Sequence, residues 1–196
     1  MAATGRPSTA TPVSDAAPRP DPFRIETDRL LLRELTMDDV GVLHGILGDP
    51  ETMRFYPAPK SRQETVGWIE WNLRNYTELG FGLWALILKE TGEFIGDCGL
   101  TVQPVDDDRY VEVGYHVRRD LWRRGLATEA AAASRDFAFD VVGVDRLIAL
   151  VRLGNEPSAG VARKIGMEPW MRTVRVGLDH VVWSMTRDRW REAVSS

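Results

Sequence analysis

Period-two alternation is clearest in the middle of the chain. Val111, Val113, Tyr115 and Val117 alternate with Glu112, Gly114 and His116 across Tyr110–Arg118, the pattern of a strand with one buried face. Trp84–Leu88 and Glu93–Thr101 predict a hairpin joined at Thr91-Gly92, and Leu30-Leu31-Leu32 marks a first strand within Asp28–Leu35. Helical spacing appears in Val40, Leu43 and Leu47, entered through Thr36 with Asp39 as an approximate capping box and stopped at Gly48. A direct capping box, Ser61-Arg62-Gln63-Glu64, opens a second helix through Val66, Ile69, Leu73 and Tyr76, which Gly80 ends. Leu121–Ala127 opens an alanine-rich helix, with Leu126, Ala130, Phe137 and Val141 on its apolar side. Arg146–Arg152 reads as a strand, Pro157–Ile165 as a short helix, and Pro169–Val176 and His180–Thr186 as two closing strands. The order βααβββαβαββ, without internal repeats, predicts an α/β sandwich with a mixed sheet.

Met1–Pro22 departs from this patterning. It holds five of the eleven prolines, five alanines and five Ser/Thr, with only Met1 and Val13 as larger apolar residues. Such a segment buries too little surface to offset the entropy of ordering it, so a disordered tail is expected over 1–22 and a single domain over 23–196. The tail lacks the apolar stretch of a signal peptide, which makes the cytoplasm the expected location. Its charges cancel, so the formal net charge of −4 belongs to the domain. That mild acidity argues against nucleic acid as a partner, whose footprint is a basic patch. No apolar run approaches the about 18 residues of a membrane span, and one cysteine, Cys98, excludes a disulfide framework or Cys-rich zinc site. Three scattered histidines give no metal-ligand spacing, so no metal is expected.

The strand, glycine-containing loop and helix around Arg123-Arg124-Gly125-Leu126-Ala127-Thr128 suit an anionic ligand. The first helical N–H groups lack acceptors and carry roughly half a positive charge, to which two arginines add. No Gly-Lys-Ser/Thr follows, which excludes a Walker loop, and the three glycines of a dinucleotide fingerprint are missing. The longer run Trp122–Ala130 resembles the acyl-CoA pyrophosphate loop of the GNAT superfamily of N-acyltransferases. Asn155-Glu156-Pro157-Ser158 with Lys164-Ile165-Gly166-Met167 is similar to that superfamily's second cofactor motif, and Glu112-Val113-Gly114-Tyr115 to its central strand. Thr27-Asp28-Arg29-Leu30 and Asp49-Pro50-Glu51-Thr52-Met53-Arg54 resemble the RimJ/RimL-like branch, which includes ribosomal-protein N-terminal acetyltransferases. The resemblance covers about residues 24–190. It implies a mixed, mostly antiparallel twisted sheet with helices on both faces, and acetyl-CoA as co-substrate.

The resemblance further implies acetyl transfer to a primary amine, either a protein N-terminus or a small cationic amine, by direct attack in a ternary complex. An amine titrating near about 10.4 arrives protonated, so a proton acceptor is required. Glu112 on the central strand is the candidate base, its alternative being a strand glutamate that points at solvent or is structurally hydrogen-bonded. A main-chain N–H near His116 or Val117 would receive the acyl oxygen. Ser158 is the candidate donor to the departing thiolate, or else a cap and cofactor ligand, and Asn155 would orient the pantetheine arm. Many members carry a tyrosine acid seven residues after that Asn; here the position is Ala162, which excludes it.

His116 and His180 are conceivable bases, with pocket lining the expected role of His180. Cys98 reads as a small core residue, and Asp106–Asp108 as a solvated loop. Phe55, Tyr56, Trp68 and Trp71 offer either an aromatic wall for an amine or plain core packing. A homodimer is plausible on the resemblance alone, and a non-catalytic acyl-CoA-binding protein is the alternative function.

Overall fold

The computed structural model describes residues 23–195, so the tail expected over 1–22 lies outside the described residues. The chain runs β1 (Arg24–Glu26), β2 (Leu30–Arg33), α1 (Val40–Leu47), α2 (Arg62–Leu79), β3 (Leu83–Leu88), β4 (Phe94–Val105) and β5 (Asp108–Val117). It continues through α3 (Leu126–Phe137), β6 (Arg146–Arg152), α4 (Glu156–Lys164), β7 (Glu168–Arg175), β8 (Leu178–Thr186) and α5 (Arg187–Val194). The eight strands form one sheet in the order β1-β2-β3-β4-β5-β6-β8-β7. Every pairing is antiparallel except β5 with β6. The expected mixed, mostly antiparallel sheet with helices on both faces is therefore observed.

Successive residues of one strand show how the two faces are filled. In β4, the Cys98 Sγ lies 3.5 Å from Ser134 Oγ on α3, whereas Asp97 accepts a hydrogen bond from Trp68 on α2. The α3 side holds the larger core, centred on Trp84, which stacks on Phe23 at 4.8 Å and meets the edge of Phe137 at 5.2 Å. The α1–α2 side packs Leu35, Leu43, Leu47, Met53 and Ile69 against Ala85. Helix α2 also carries buried polar groups that tie it to β3. Asn72 accepts from the Leu83 N–H at 2.7 Å, and Tyr76 donates to the Leu83 carbonyl.

Local signals explain the predicted boundaries. At the start of α2 the Ser61 N–H donates to the Glu64 carboxylate at 2.7 Å, and the Glu64 N–H donates to Ser61 Oγ at 3.2 Å. Gly80 closes that helix at φ 80°, where a side chain would be strained. The β4–β5 hairpin reaches further than expected, turning at Asp106-Asp107, with Asp108 already in β5. After Phe137, α3 widens into a π-helical turn over Ala138–Val142, which rotates Val141 off the predicted apolar side and leaves it 41% exposed.

Two elements add to the predicted order. Strand β1 is three residues long and has no alternation to read. Helix α5 buries a single residue, Trp190, which stacks on Phe139 at 5.2 Å and donates from Nε1 to Asp136 at 2.8 Å. One anchor gives no helical period. Trp190→Ala is expected to lose about 3 kcal/mol of stability through the cavity and the lost bond. Urea denaturation checks this, and an unchanged midpoint would remove α5 from the anchoring of the core.

Candidate active site

The site begins where two strands separate. Strand β5 pairs with β6 only at Val111↔Leu147 and Glu112↔Ile148, while β6 stays paired with β8 along its whole length. Arg118 donates its N–H to the Ile95 carbonyl across the β4 side at 2.8 Å. Since main-chain groups alternate edges along a strand, the His116 N–H also faces β4, and those of Val113, Tyr115 and Val117 face the edge β6 has left. Of the two positions expected to offer an oxyanion donor, the alternation favours Val117.

Glu112 sits at the fork. Its carboxylate accepts from the Leu150 N–H on β6 and from Thr101 Oγ1 on β4, each at 3.2 Å, so it bridges the gap between the strands. Burial raises its pKa, opposed by the Leu150 bond, the positive charge of Arg175 and the Thr101 bond. A raised carboxylate suits a proton acceptor, but Glu112 is not among the residues lining the neighbouring cavity.

That cavity encloses about 800 Å³ and runs from the loop before α3 to the exposed part of β5. Of the expected cofactor residues, Arg123, Gly125, Leu126, Ala127 and Thr128 line one end. His116, Val117, Asn155 and Ser158 line the remainder, whereas Arg124 does not line it. Arg123 at φ 64° and Gly125 at φ 81° alternate with ordinary backbone, which turns consecutive N–H groups toward one concavity. Arg29 braces this loop from below, donating to the Arg124 carbonyl at 2.9 Å. Glu129 in the first turn of α3 accepts from Thr27 Oγ1 at 2.5 Å, from the Arg29 N–H at 2.8 Å and from Arg29 Nε at 2.6 Å. The Thr-Asp-Arg-Leu motif thus serves the loop from a distance in sequence, a role that local reading did not reach.

Two hydrogen-bonded groups lie on opposite faces of β5. On the α4 side, Tyr115 donates to the Ser158 carbonyl at 3.0 Å, and its oxygen is 2.9 Å from Ser158 Oγ. Burial raises the Tyr115 pKa, so the phenol is protonated at neutral pH. Asn155 caps α4, its Oδ1 accepting from the Ser158 N–H at 3.2 Å, which frees the Ser158 hydroxyl from the capping role. On the α2 side, Tyr56 in the α1–α2 connection is 2.7 Å from His116 Nε2, and His116 Nδ1 is 2.7 Å from Asp97. Trp68 Nε1 completes the group, donating to the other Asp97 oxygen at 2.9 Å. His116 was a conceivable base and Tyr56 a candidate aromatic wall from sequence, but neither Tyr115 nor Asp97 was given a role, and the grouping of Tyr56, His116 and Asp97 was not foreseen. The signal available was Asp97, the single charged residue of β4, between the buried Gly96 and Cys98.

The aromatic residues divide. Phe55 and Tyr56 line the cavity, but Trp68 and Trp71 do not, and the Lys60 ammonium already covers the Trp68 ring at 4.6 Å. Arg54 likewise lies 4.9 Å from the Phe55 centroid. His180 lies outside the cavity lining, with Nδ1 donating to the Leu178 carbonyl at 2.8 Å. Cys98 is a buried core residue, as expected, its thiol pushed up to about 12 by burial. No helix among the described residues is long and apolar enough to cross a membrane.

Residues 29–168 match the family described as acetyltransferase (GNAT) domain, and the chain belongs to that family. It is 38% identical over 153 residues to YkkB of Bacillus subtilis, an uncharacterized protein, covering 78% of this chain and 88% of that one. An acetyltransferase structure from Agrobacterium tumefaciens shares 30% identity and a TM-score of 0.72, covering 83% of this chain and 93% of that one. The fold is shared as well with RimL, a ribosomal L7/L12 α-N-protein acetyltransferase solved with coenzyme A, at 17% identity and a TM-score of 0.69 over 85% of this chain and 99% of that one.

The brace under the loop has a pH signature. Burial raises the Glu129 pKa, and the bonds from Thr27 and Arg29 more than offset this, holding the carboxyl below its ordinary value. Its stabilisation is therefore present above the unfolded pKa of about 4.3 and is lost as pH falls through the folded value. Glu129→Gln is expected to cost about 2 kcal/mol at pH 7, with the difference from wild type narrowing on acidification. Thermal denaturation between about pH 7 and pH 3 measures the gap; a constant gap would contradict the ionic brace.

Proposed function

We propose that the protein transfers an acetyl group from acetyl-CoA to a primary amine, by direct attack with both substrates bound. The observation that carries this reading is one cavity joining an anion-receiving loop to the unpaired edge of β5, with Ser158 and Tyr115 beside it. When bound, acetyl-CoA supplies an activated acyl carbon and a thiolate leaving group.

The chain's own residues divide the work. The N–H groups of the Arg123–Thr128 loop, with the charge of Arg123, hold the diphosphate. The main chain at Val117 offers an N–H to the thioester oxygen as negative charge develops there. Asn155 keeps Oδ1 on its helix cap and presents its amide NH₂ to the pantetheine arm. Ser158, backed by the protonated Tyr115, gives a hydrogen bond and a proton to the departing sulfur, in place of the tyrosine absent at Ala162. Holding amine and thioester together contributes much of the rate, since positioning is worth up to about 7–11 kcal/mol.

The acceptor is an amine, either a protein N-terminus or a small cation. The ribosomal-protein acetyltransferases among the structural neighbours favour the N-terminus, and the acidic balance of the chain suits either. Acetyl-CoA is expected to raise the melting temperature by mass action, and thiol release is expected with peptide N-termini or polyamines. No shift at millimolar acetyl-CoA would overturn the reading. Gly125→Glu fills and charges the loop at a left-handed position where a Cβ already meets Arg29 Nη2 at 3.4 Å. It is expected to abolish acetyl-CoA binding in calorimetry, and unchanged affinity would remove the loop from the site.

A further inference from the structure

Asp97 is a fully buried carboxylate on a strand whose neighbours are core residues. No arginine or lysine among the described residues forms an ion pair with it; its recorded partners are His116 and the Trp68 indole. A buried carboxylate is costly unless bonded, and an apolar side chain of similar volume would often be neutral or stabilising there. Its position follows from register, since Asp97 and His116 are directly opposite in the β4–β5 ladder and share a face. Gly96 makes the close approach feasible, because a Cβ there would stand 2.0 Å from the His116 carbonyl. Both donors on Asp97 point at a function for the imidazole. With Nδ1–H bonded to the carboxylate, Nε2 is left with its lone pair toward the Tyr56 hydroxyl at 2.7 Å. Tyr56 is 43% exposed and lines the cavity, as does His116.

We infer that Tyr56, His116 and Asp97 form a proton relay that takes the amine's proton on the α2 face of β5, opposite the Tyr115–Ser158 pair. The inference rests on the acetyl-transfer reading and assigns its base. The ammonium N–H bond breaks as its proton passes to Tyr56 Oη, while the phenol proton passes to His116 Nε2. Asp97 balances the imidazolium and positions the ring. The freed nitrogen lone pair then forms the C–N bond, the C–S bond breaks with its electron pair on sulfur, and sulfur is protonated. Nitrogen gives up two protons in all. One is stored on His116 until product leaves and then passes to solvent, and the other goes to Ser158 Oγ, replacing the proton that Ser158 gave to sulfur. Glu112, with both oxygens engaged at the fork, has the structural part.

The test uses the full chain labelled with ¹⁵N-histidine. Imidazole NMR is expected to show His116 as the Nδ1–H tautomer with Nε2 unprotonated, and Asp97→Asn to disturb that preference. An Nε2–H tautomer in the wild type leaves no lone pair toward Tyr56 and overturns the relay. Kinetics follow with two probe acceptors, a peptide with a free alanine N-terminus and 1,4-diaminobutane. Tyr56→Phe and His116→Gln are expected to lower kcat about 100-fold, with the calorimetric affinity for acetyl-CoA unchanged. Wild-type turnover in Tyr56→Phe, with the loss appearing in Glu112→Gln, would return the role to Glu112 and overturn the inference. Failure to bind acetyl-CoA would instead strike the acetyl-transfer reading. If neither probe is acetylated, the wild-type tautomer decides alone.

Discussion

Everything at this site depends on one sheet pairing that stops early. Parallel strands β5 and β6 share two register positions and then diverge. Breaking a ladder inside a domain leaves main-chain donors and acceptors without partners, which is costly when they are buried. The structure meets the cost in several ways, one of them the Trp122 indole N–H, which donates to the Val117 carbonyl at 2.6 Å. Strand β8 keeps β6 fully paired on its far side, so only one edge is opened. The Glu112 carboxylate then takes the Leu150 N–H that would otherwise face the gap. The opening is therefore a built feature, and it gives the cavity a wall of β5 backbone that β6 does not pair.

Strand geometry distributes chemistry around that opening. Tyr115 and His116 are consecutive, so one side chain goes to the α4 face and the other to the α2 face. Each meets a hydroxyl brought by a different part of the chain, Ser158 from α4 and Tyr56 from the α1–α2 connection. A single strand thereby holds two hydrogen-bonded pairs apart, with a backbone edge between them.

Sequence reading reached what local physics decides. The Ser61–Glu64 box, the Gly80 stop and the alternation in β5 are set by residues within a few positions of each other. They appeared at nearly the expected bounds. The loop at Gly125 was legible for the same reason, because a strand, a left-handed turn and a helix start follow directly along the chain. What escaped depends on contacts across the fold. Asp97 and His116 are 19 residues apart and meet only through the register of a hairpin whose turn lies beyond the predicted strand end. Trp68 carried an aromatic signature that suggested a cation site, and a cation does cover it, but the cation is the chain's own Lys60. Val141 kept helical spacing on paper and lost it where the backbone widened into a π turn.

The brace between Thr27, Arg29 and Glu129 couples two distant stretches of chain. Its members are about a hundred residues apart in sequence, yet the loop geometry leans on Arg29 through the Arg124 carbonyl. Contacts of that separation carry a larger loop-closure entropy than those between neighbouring residues. A chain emerging from synthesis thus has its first strand long before the helix that needs it. The anion-receiving loop acquires its final shape only when the beginning of the domain has docked against its middle. The concavity of that loop is consequently a property of the completed fold, which partially folded chains would lack.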